Sequence, residues 1–155
     1  MKRSNGGRYL LVTTDTRSVL RRLEGEREAP RQDFLELARA LDAEILSYAD
    51  LDGAGPVCRM LRRLAGGAAA LAWLGFTRRG AFYFTTGEHA GMALAGLLKW
   101  SRRPAVHVMI GHRISAGKKR IFWKALGLFD RISAMICYSR AQELFARDAL
   151  GVPAR

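Results

Sequence analysis

The chain has 155 residues, of which 49% are hydrophobic and 26% are charged. This length and composition predict one folded domain and exclude an intrinsically disordered chain. The formal net charge of +12 arises from 26 Lys and Arg residues against 14 Asp and Glu residues, so anionic partners are expected, such as a membrane surface, nucleotides or RNA.

Residues 1–7 are predicted to be a flexible basic tail, and residues 8–155 a single domain. The apolar run from Tyr9 to Val12 is too short for a signal peptide. The stretch from Gly66 to Phe76 is shorter than the roughly 20 residues that cross a bilayer. We therefore expect a cytoplasmic protein that can bind peripherally at the inner face of the membrane.

Five short runs of apolar, β-branched or aromatic residues predict strands, because polar residues follow each run directly. The predicted strands are residues 8–14, 43–49, 81–86, 106–110 and 132–138. Helical patterns fall between them. The predicted helices are residues 30–41, 57–64 and 68–76, a helix opened by residues 87–91, and residues 117–129 and 140–150.

This alternation predicts an α/β fold, namely a doubly wound, mainly parallel, Rossmann-like sheet with helices on both faces. With the strands numbered along the chain, the expected spatial order is 3-2-1-4-5. Parallel strands with right-handed crossovers place ligands at their carboxyl ends. The residues predicted to meet there are Thr14, Asp15, Asp50, Thr86, Gly87, Glu88, His89, His112, Arg113, Ser139 and Arg140.

The segment from Gly87 to Gly91 opens a helix, whose amide groups and positive dipole end could hold an anion or a hydroxyl-rich ligand. The alternative is that Glu88 only stabilises the first helical turn. His112 could donate a hydrogen bond to a sugar oxygen or a phosphate, although a lone loop histidine is often an ordinary surface residue. His107 lies within a strand and is predicted to pack beneath a helix.

Several classes of site are disfavoured by the sequence. The chain has neither a G-x-G-x-x-G motif after the first strand nor a G-x-x-x-x-G-K-[ST] motif, which argues against dinucleotide binding and P-loop hydrolysis. Cys58 and Cys137 lack metal-ligand spacing and are predicted to be small core residues in a reducing compartment. We therefore expect neither a metal ion nor a cofactor.

Three segments carry a family resemblance: TTGEHAGMALAGLLKW, IGHRISAGKKR and DRISAMICYSRAQELFARDALGVPAR. Together they resemble the amino-terminal, acceptor-binding domain of GT-B glycosyltransferases of family 4 or close relatives. The likeness extends from about Arg8 to Arg155. It implies one of two Rossmann-like domains that face each other across a cleft, so that the donor-binding domain is absent from this chain.

The resemblance also implies roles for individual residues. His112 matches the catalytic histidine of the cleft. The positions that match the acceptor-binding edge, or lie beside it, are Asp15, Thr86, Gly87, Glu88, His89, Arg113 and Ser139. The loop after the first strand contains only Gly25, where many members have a Gly-Gly pair beside the donor diphosphate.

The implied partners are a nucleotide-sugar donor, bound mainly by a second domain or subunit, and a hydroxyl acceptor such as a lipid-linked or polysaccharide acceptor. An anionic membrane surface fits the positive charge, and no specific nucleic acid is expected. The chain alone is expected to be inactive in sugar transfer.

Two alternatives from other functional classes stay open. The first is a non-enzymatic, flavodoxin-like module that binds RNA or an anionic membrane surface through its charge. The second is a protein-interaction domain in which residues 68–76, or the region of Trp73, Trp100 and Trp123, dock a partner. Aromatic residues at these helical positions are expected in the core instead.

Overall fold

A computed structural model describes residues 6–14, 33–111 and 126–149. Within these ranges, five strands form one sheet in which all neighbours pair in parallel. The strands are β1 (Arg8–Val12), β2 (Glu44–Ser47), β3 (Phe82–Thr85), β4 (Val106–Gly111) and β5 (Ala134–Cys137). The α/β class and the parallel sheet expected from the sequence are therefore confirmed.

Helices connect these strands. The α-helices of the described residues are α1 (Asp33–Leu41), α2 (Pro56–Leu64), α3 (Gly67–Thr77), α4 (Glu88–Trp100) and α5 (Arg140–Leu144). Helix α5 continues into a π-helical turn, Phe145–Ala149, and 3₁₀ turns span Tyr48–Leu51 and Leu128–Arg131.

The strand order is β2-β1-β3-β4-β5, so the expected order 3-2-1-4-5 is wrong. Helix α3 contacts both β1 and β2, and it carries the chain across β1 to place β3 on the far side. The side chains of Tyr83, Phe84 and Thr85 are buried, as a central strand requires. Strand β2 starts with the exposed Glu44 and lies at the edge of the sheet.

Two predicted elements end differently in the structure. The second strand stops at Ser47, because its hydroxyl accepts a hydrogen bond from the amide of Ala49 at 3.3 Å and starts a 3₁₀ turn. Most of the predicted helix 117–129 lies outside the described residues. Its described end turns at Gly127, whose left-handed φ of 53° favours glycine, before the 3₁₀ turn Leu128–Arg131.

One face of the sheet is covered by α3 and α4. Leu11 and Tyr83 point toward these helices and form a buried cluster with Leu71, Leu94 and Leu98. This packing follows the helical spacing of the apolar residues in α4, and it accounts for the largest group of fully buried side chains.

The opposite face of the sheet packs against α1. Leu10, Val12 and Phe84 form a second buried cluster there with Ala38. Phe34 and Leu37 lie half-buried at its margin. Because α1 connects β1 to β2, it runs antiparallel to the strands and its first turns lie at the carboxyl edge of the sheet.

Helix α4 approaches the sheet most closely at Gly91. A Cβ at this position would lie 2.7 Å from Cγ of Met109 and 2.8 Å from Oγ1 of Thr85. Both neighbours are completely buried, so they have little room to move. The contact therefore requires glycine and fixes the first turns of α4 against β3 and β4.

The two interior glycines of α4 provide a matched test of this contact. We expect Gly91→Ala to lower the free energy of unfolding by about 1–3 kcal/mol, because the added methyl group overpacks the core. Gly96→Ala should be neutral or stabilising by up to about 1 kcal/mol, since alanine favours helix and, within the described part of the chain, its Cβ would meet only Leu128 at 3.9 Å. Urea unfolding measures both variants, and equal effects would contradict this account.

Candidate functional site

The chain reverses its direction across the sheet between β1 and β3. From β1 it continues to β2 on one side, and from β3 it continues to β4 on the other. Helices consequently lie on opposite faces and leave a crevice at the carboxyl ends of β1 and β3, where doubly wound folds bind ligands. Thr86 joins the two strand ends: its Oγ1 accepts from the amide of Thr13 and donates to the carbonyl of Leu11, each at 3.3 Å.

The segment after Thr86 brings the start of α4 into this crevice. Gly87 is extended and buried, and a Cβ there would lie 3.2 Å from Oγ1 of Thr13. Glu88 is only 3% exposed although it is a carboxylate, and it lies in the first turn of α4, near the positive end of the helix dipole. His89 is exposed at the same edge.

A pocket of about 310 Å³ opens at the carboxyl edge. Its walls combine apolar side chains with hydroxyl groups: Val12, Thr13, Thr14, Phe34, Leu37, Thr86, Ile110 and Tyr138. Among the described residues that line the pocket, no side chain carries a formal charge at neutral pH. These walls suit a ligand that presents both an apolar surface and hydroxyl groups.

Two walls of this pocket come from the apolar face of the predicted helix 30–41. Phe34 and Leu37 belong to the apolar stripe of α1, and their spacing alone does not distinguish a buried residue from a pocket wall. The signal that identifies them is the direction of α1, since a helix leaving the carboxyl end of a strand keeps its first turns at that edge.

The end of β5 contributes Tyr138 and Ser139. Ser139 is the N-cap of α5, because its hydroxyl accepts a hydrogen bond from the amide of Gln142 at 3.3 Å. The side chain of Gln142 accepts in return from the amide of Tyr138 at 2.9 Å. These two hydrogen bonds fix the backbone at the end of β5, where Tyr138 lines the pocket.

The predicted site residues thus have different outcomes. Thr86 lines the pocket, whereas Gly87 and Ser139 lie next to residues that line it. Glu88 is buried and His89 exposed in the first turn of α4. Asp15, His112 and Arg113 lie outside the described residues, so their roles stay predictions.

Two carboxylates near the end of β2 have local functions. Asp50 accepts hydrogen bonds from the amide of Ser47 at 2.8 Å and from its hydroxyl at 3.1 Å, which completes a capping box. Asp52 forms an exposed ion pair with Arg62 at 2.8 Å. Both acidic residues therefore have structural partners within this segment of the chain.

Two larger hollows lie at the opposite, amino-terminal edge of the sheet. One, of about 430 Å³, follows α1 and β2. The other, of about 460 Å³, includes Phe76 and Arg103. The guanidinium of Arg103 stacks on the Phe76 ring at 3.9 Å and also donates to its carbonyl, so it links the ends of α3 and α4. We favour the carboxyl edge because it contains the crevice between β1 and β3.

His107 is completely buried beneath α4, as predicted for a histidine within a strand. Its Nε2 lies 3.1 Å from Oγ1 of Thr85, and its Nδ1 makes no hydrogen bond with the described residues. Burial lowers the pKa of His107 from 6.5 to about 4, and the nearby carbonyl of Arg131 opposes this effect only in part. The imidazole is therefore neutral at physiological pH.

This neutral histidine predicts sensitivity of the fold to acid. Between pH 6.5 and about 4, the unfolded chain binds a proton that the folded chain does not bind. The free energy of unfolding should fall by up to about 3 kcal/mol as pH decreases through this interval. Urea unfolding at a series of pH values measures the loss, and His107→Leu should have a shallower pH dependence. Parallel curves for the two proteins would contradict the assignment.

No helix among the described residues is long and apolar enough to cross a membrane. In the same part of the chain, no group of three or more His, Cys, Asp or Glu side chains is arranged to hold a metal ion. The sequence matches no protein-family model, no curated protein and no solved structure.

Proposed function

We propose that this chain is the acceptor-binding half of a glycosyltransferase, which transfers a sugar from a nucleotide-sugar to a hydroxyl acceptor. The observation that carries the proposal is the pocket at the carboxyl ends of β1 and β3, whose described walls combine apolar side chains with hydroxyl groups. It is supported by the resemblance of the segments around Glu88, His112 and Ser139 to family 4 glycosyltransferases.

The composition of the pocket favours an acceptor over a donor. Thr13 and Thr14 offer hydroxyl groups that can both donate to and accept from the hydroxyls of a sugar or polyol. Phe34 and Leu37 offer apolar surface for a ring face or an alkyl chain. A nucleotide diphosphate would need cationic groups, and the described walls of the pocket contain none, so the proposal assigns the donor mainly to a second domain or subunit.

In the proposed reaction, the acceptor hydroxyl attacks the anomeric carbon of the donor sugar while the nucleotide diphosphate leaves. Positioning of the two substrates and stabilisation of developing charge supply most of the rate. The proposal assigns His112 to the reacting sugar and Arg113 to the acceptor edge. Glu88 and His89, in the first turn of α4, are the further acceptor-binding candidates.

Filling the pocket should block acceptor binding. Leu37→Trp places a large ring in the pocket, whereas Glu36→Trp places the same ring at an adjacent exposed position of α1. With methyl glycosides, short oligosaccharides and a short-chain polyprenyl phosphate as probes, saturation-transfer NMR of wild type should identify a ligand. Leu37→Trp should weaken its binding at least about tenfold, and Glu36→Trp should leave it unchanged.

Thr14→Trp offers a second way to fill the pocket if Leu37→Trp reduces stability. Urea unfolding of each variant separates loss of fold from loss of binding. No binding of any probe, or equal binding by both tryptophan variants, would contradict the acceptor assignment.

The catalytic role proposed for His112 can be tested by measuring kcat. In a complete enzyme that joins this chain to its donor-binding domain or subunit, His112→Ala should lower kcat by about 10²-fold, because a positioned group beside the reacting sugar is lost. The free energy of unfolding should change far less than this loss of turnover implies. Unchanged kcat would remove the catalytic assignment.

A second candidate function is a non-enzymatic module that binds an anionic surface, and the net charge of +12 favours it. Such binding would weaken steeply with salt concentration and would be unaffected by filling the pocket with Leu37→Trp. The proposed acceptor binding should instead depend little on salt concentration and should be weakened by Leu37→Trp.

A further inference from the structure

A hollow lies between the ends of α3 and α4, at the amino-terminal edge of the sheet. Its volume is about 460 Å³, and its described walls are Phe76, Thr77, Arg79, Ser101 and Arg103. These walls include two cationic side chains and no acidic one. The hollow therefore differs in chemistry from the pocket at the carboxyl edge, whose described walls contain no charged side chain.

Arg103 carries a positive charge that has no counter-ion in the described part of the chain. Its guanidinium stacks on the ring of Phe76 at 3.9 Å, and its Nη2 donates to the carbonyl of the same residue. Its Nε is buried and makes no hydrogen bond with the described residues. No described acidic side chain pairs with Arg103. Because a half-buried cation without a counter-ion is destabilising, an anion in the hollow would stabilise this arrangement.

Arg79 brings a second cation to the hollow in a strained backbone conformation. It lies just after the C-cap of α3 with a left-handed φ of 55°, at a position where glycine is usual because it has no Cβ. Its side chain is exposed and forms no ion pair with the described residues. Left-handed residues other than glycine are concentrated at functional sites, so we expect the arginine side chain to have a role here.

Thr77 and Ser101 add hydroxyl oxygens to the walls. The Thr77 hydroxyl donates to the carbonyl of Leu74 at 2.7 Å, and the Ser101 hydroxyl donates to the carbonyl of Leu98 at 3.3 Å. Each hydroxyl has thus used its one hydrogen, and its oxygen remains able to accept. The walls consequently suit a ligand that combines an anionic group for the arginines with hydroxyl groups for these oxygens.

We propose that this hollow binds a small phosphate monoester that also carries hydroxyl groups, such as a sugar phosphate. Arg79 and Arg103 donate to the phosphate oxygens, because a guanidinium can form paired hydrogen bonds with phosphate. Thr77 and Ser101 accept from the hydroxyl groups of the ligand. The site lies at the opposite edge of the sheet from the acceptor pocket, and the inference does not depend on sugar transfer.

The concave shape favours a small molecule over an extended anionic surface or polymer. A volume of about 460 Å³ lies within the range of ligand sites in proteins. A polymer or a charged surface would instead contact the exposed arginines of this edge alike, including Arg102, which is not among the described walls. Dependence on Arg79 but not on Arg102 therefore distinguishes a bound small molecule from general attraction to positive charge.

Isothermal titration calorimetry of the full chain with glucose 6-phosphate and with inorganic phosphate tests the proposal, at roughly 0.15 M NaCl. Wild type should bind glucose 6-phosphate more tightly than inorganic phosphate, because only the former offers hydroxyl groups to Thr77 and Ser101. Arg79→Gly should weaken the binding of glucose 6-phosphate at least about tenfold, since it removes a charged hydrogen-bond donor. Arg103→Gln should weaken it by a similar factor.

Arg102→Gly is the matched control. Arg102 follows the C-cap of α4 with a φ of 53°, so this variant removes the same charge from an equivalent left-handed position. It should retain the affinity of wild type for glucose 6-phosphate within about twofold. Both glycine variants should unfold at a urea concentration no lower than wild type, because glycine relieves the left-handed strain. A loss of binding in Arg79→Gly is thereby separated from a loss of fold.

Three results would overturn the proposal. The first is that neither glucose 6-phosphate nor inorganic phosphate binds wild type. The second is equal weakening by Arg79→Gly and Arg102→Gly, which would assign the binding to general positive charge. The third is loss of binding in Leu37→Trp, which would place the ligand in the acceptor pocket. We expect Leu37→Trp to bind glucose 6-phosphate as wild type does, so failure of this site is distinguishable from failure of the acceptor proposal.

Discussion

The close contact between α4 and the sheet at Gly91 determines where the candidate site can form. Met109 and Thr85 occupy the space that a Cβ would need, so the first turns of α4 lie directly on β3 and β4. One turn earlier, Gly87 lies against Thr13 at the end of β1. These two glycines together hold the start of α4 at the crevice between β1 and β3.

The two faces of the sheet make different contributions to the molecule. Beneath α3 and α4, the side chains are closely packed and His107 is kept neutral by its complete burial. On the α1 face, Phe34 and Leu37 are only half-buried and line the pocket at the carboxyl edge. Stability therefore depends mainly on one face, and the pocket opens on the other, where side chains can contact a ligand without disrupting the main core.

Much of the fold could be predicted from sequence, because the unit of β3, α4 and β4 is encoded by local patterns. The strand order could not, since pairing of β3 with β1 depends on where α3 carries the chain. Trp100 was expected in the core but extends beyond the sheet at the last position of α4, because helical spacing does not specify where the partner surface ends. Phe34 and Leu37 could not be identified as pocket walls from sequence, because their helical spacing is the same as that of core residues.

Helix α1 connects the pocket to the stability of the fold. Phe34 and Leu37 belong both to the pocket wall and to the margin of the buried cluster on the α1 face. A ligand that fills the pocket would bury more apolar surface against this cluster, and because it would bind the folded chain and not the unfolded one, it would raise the free energy of unfolding.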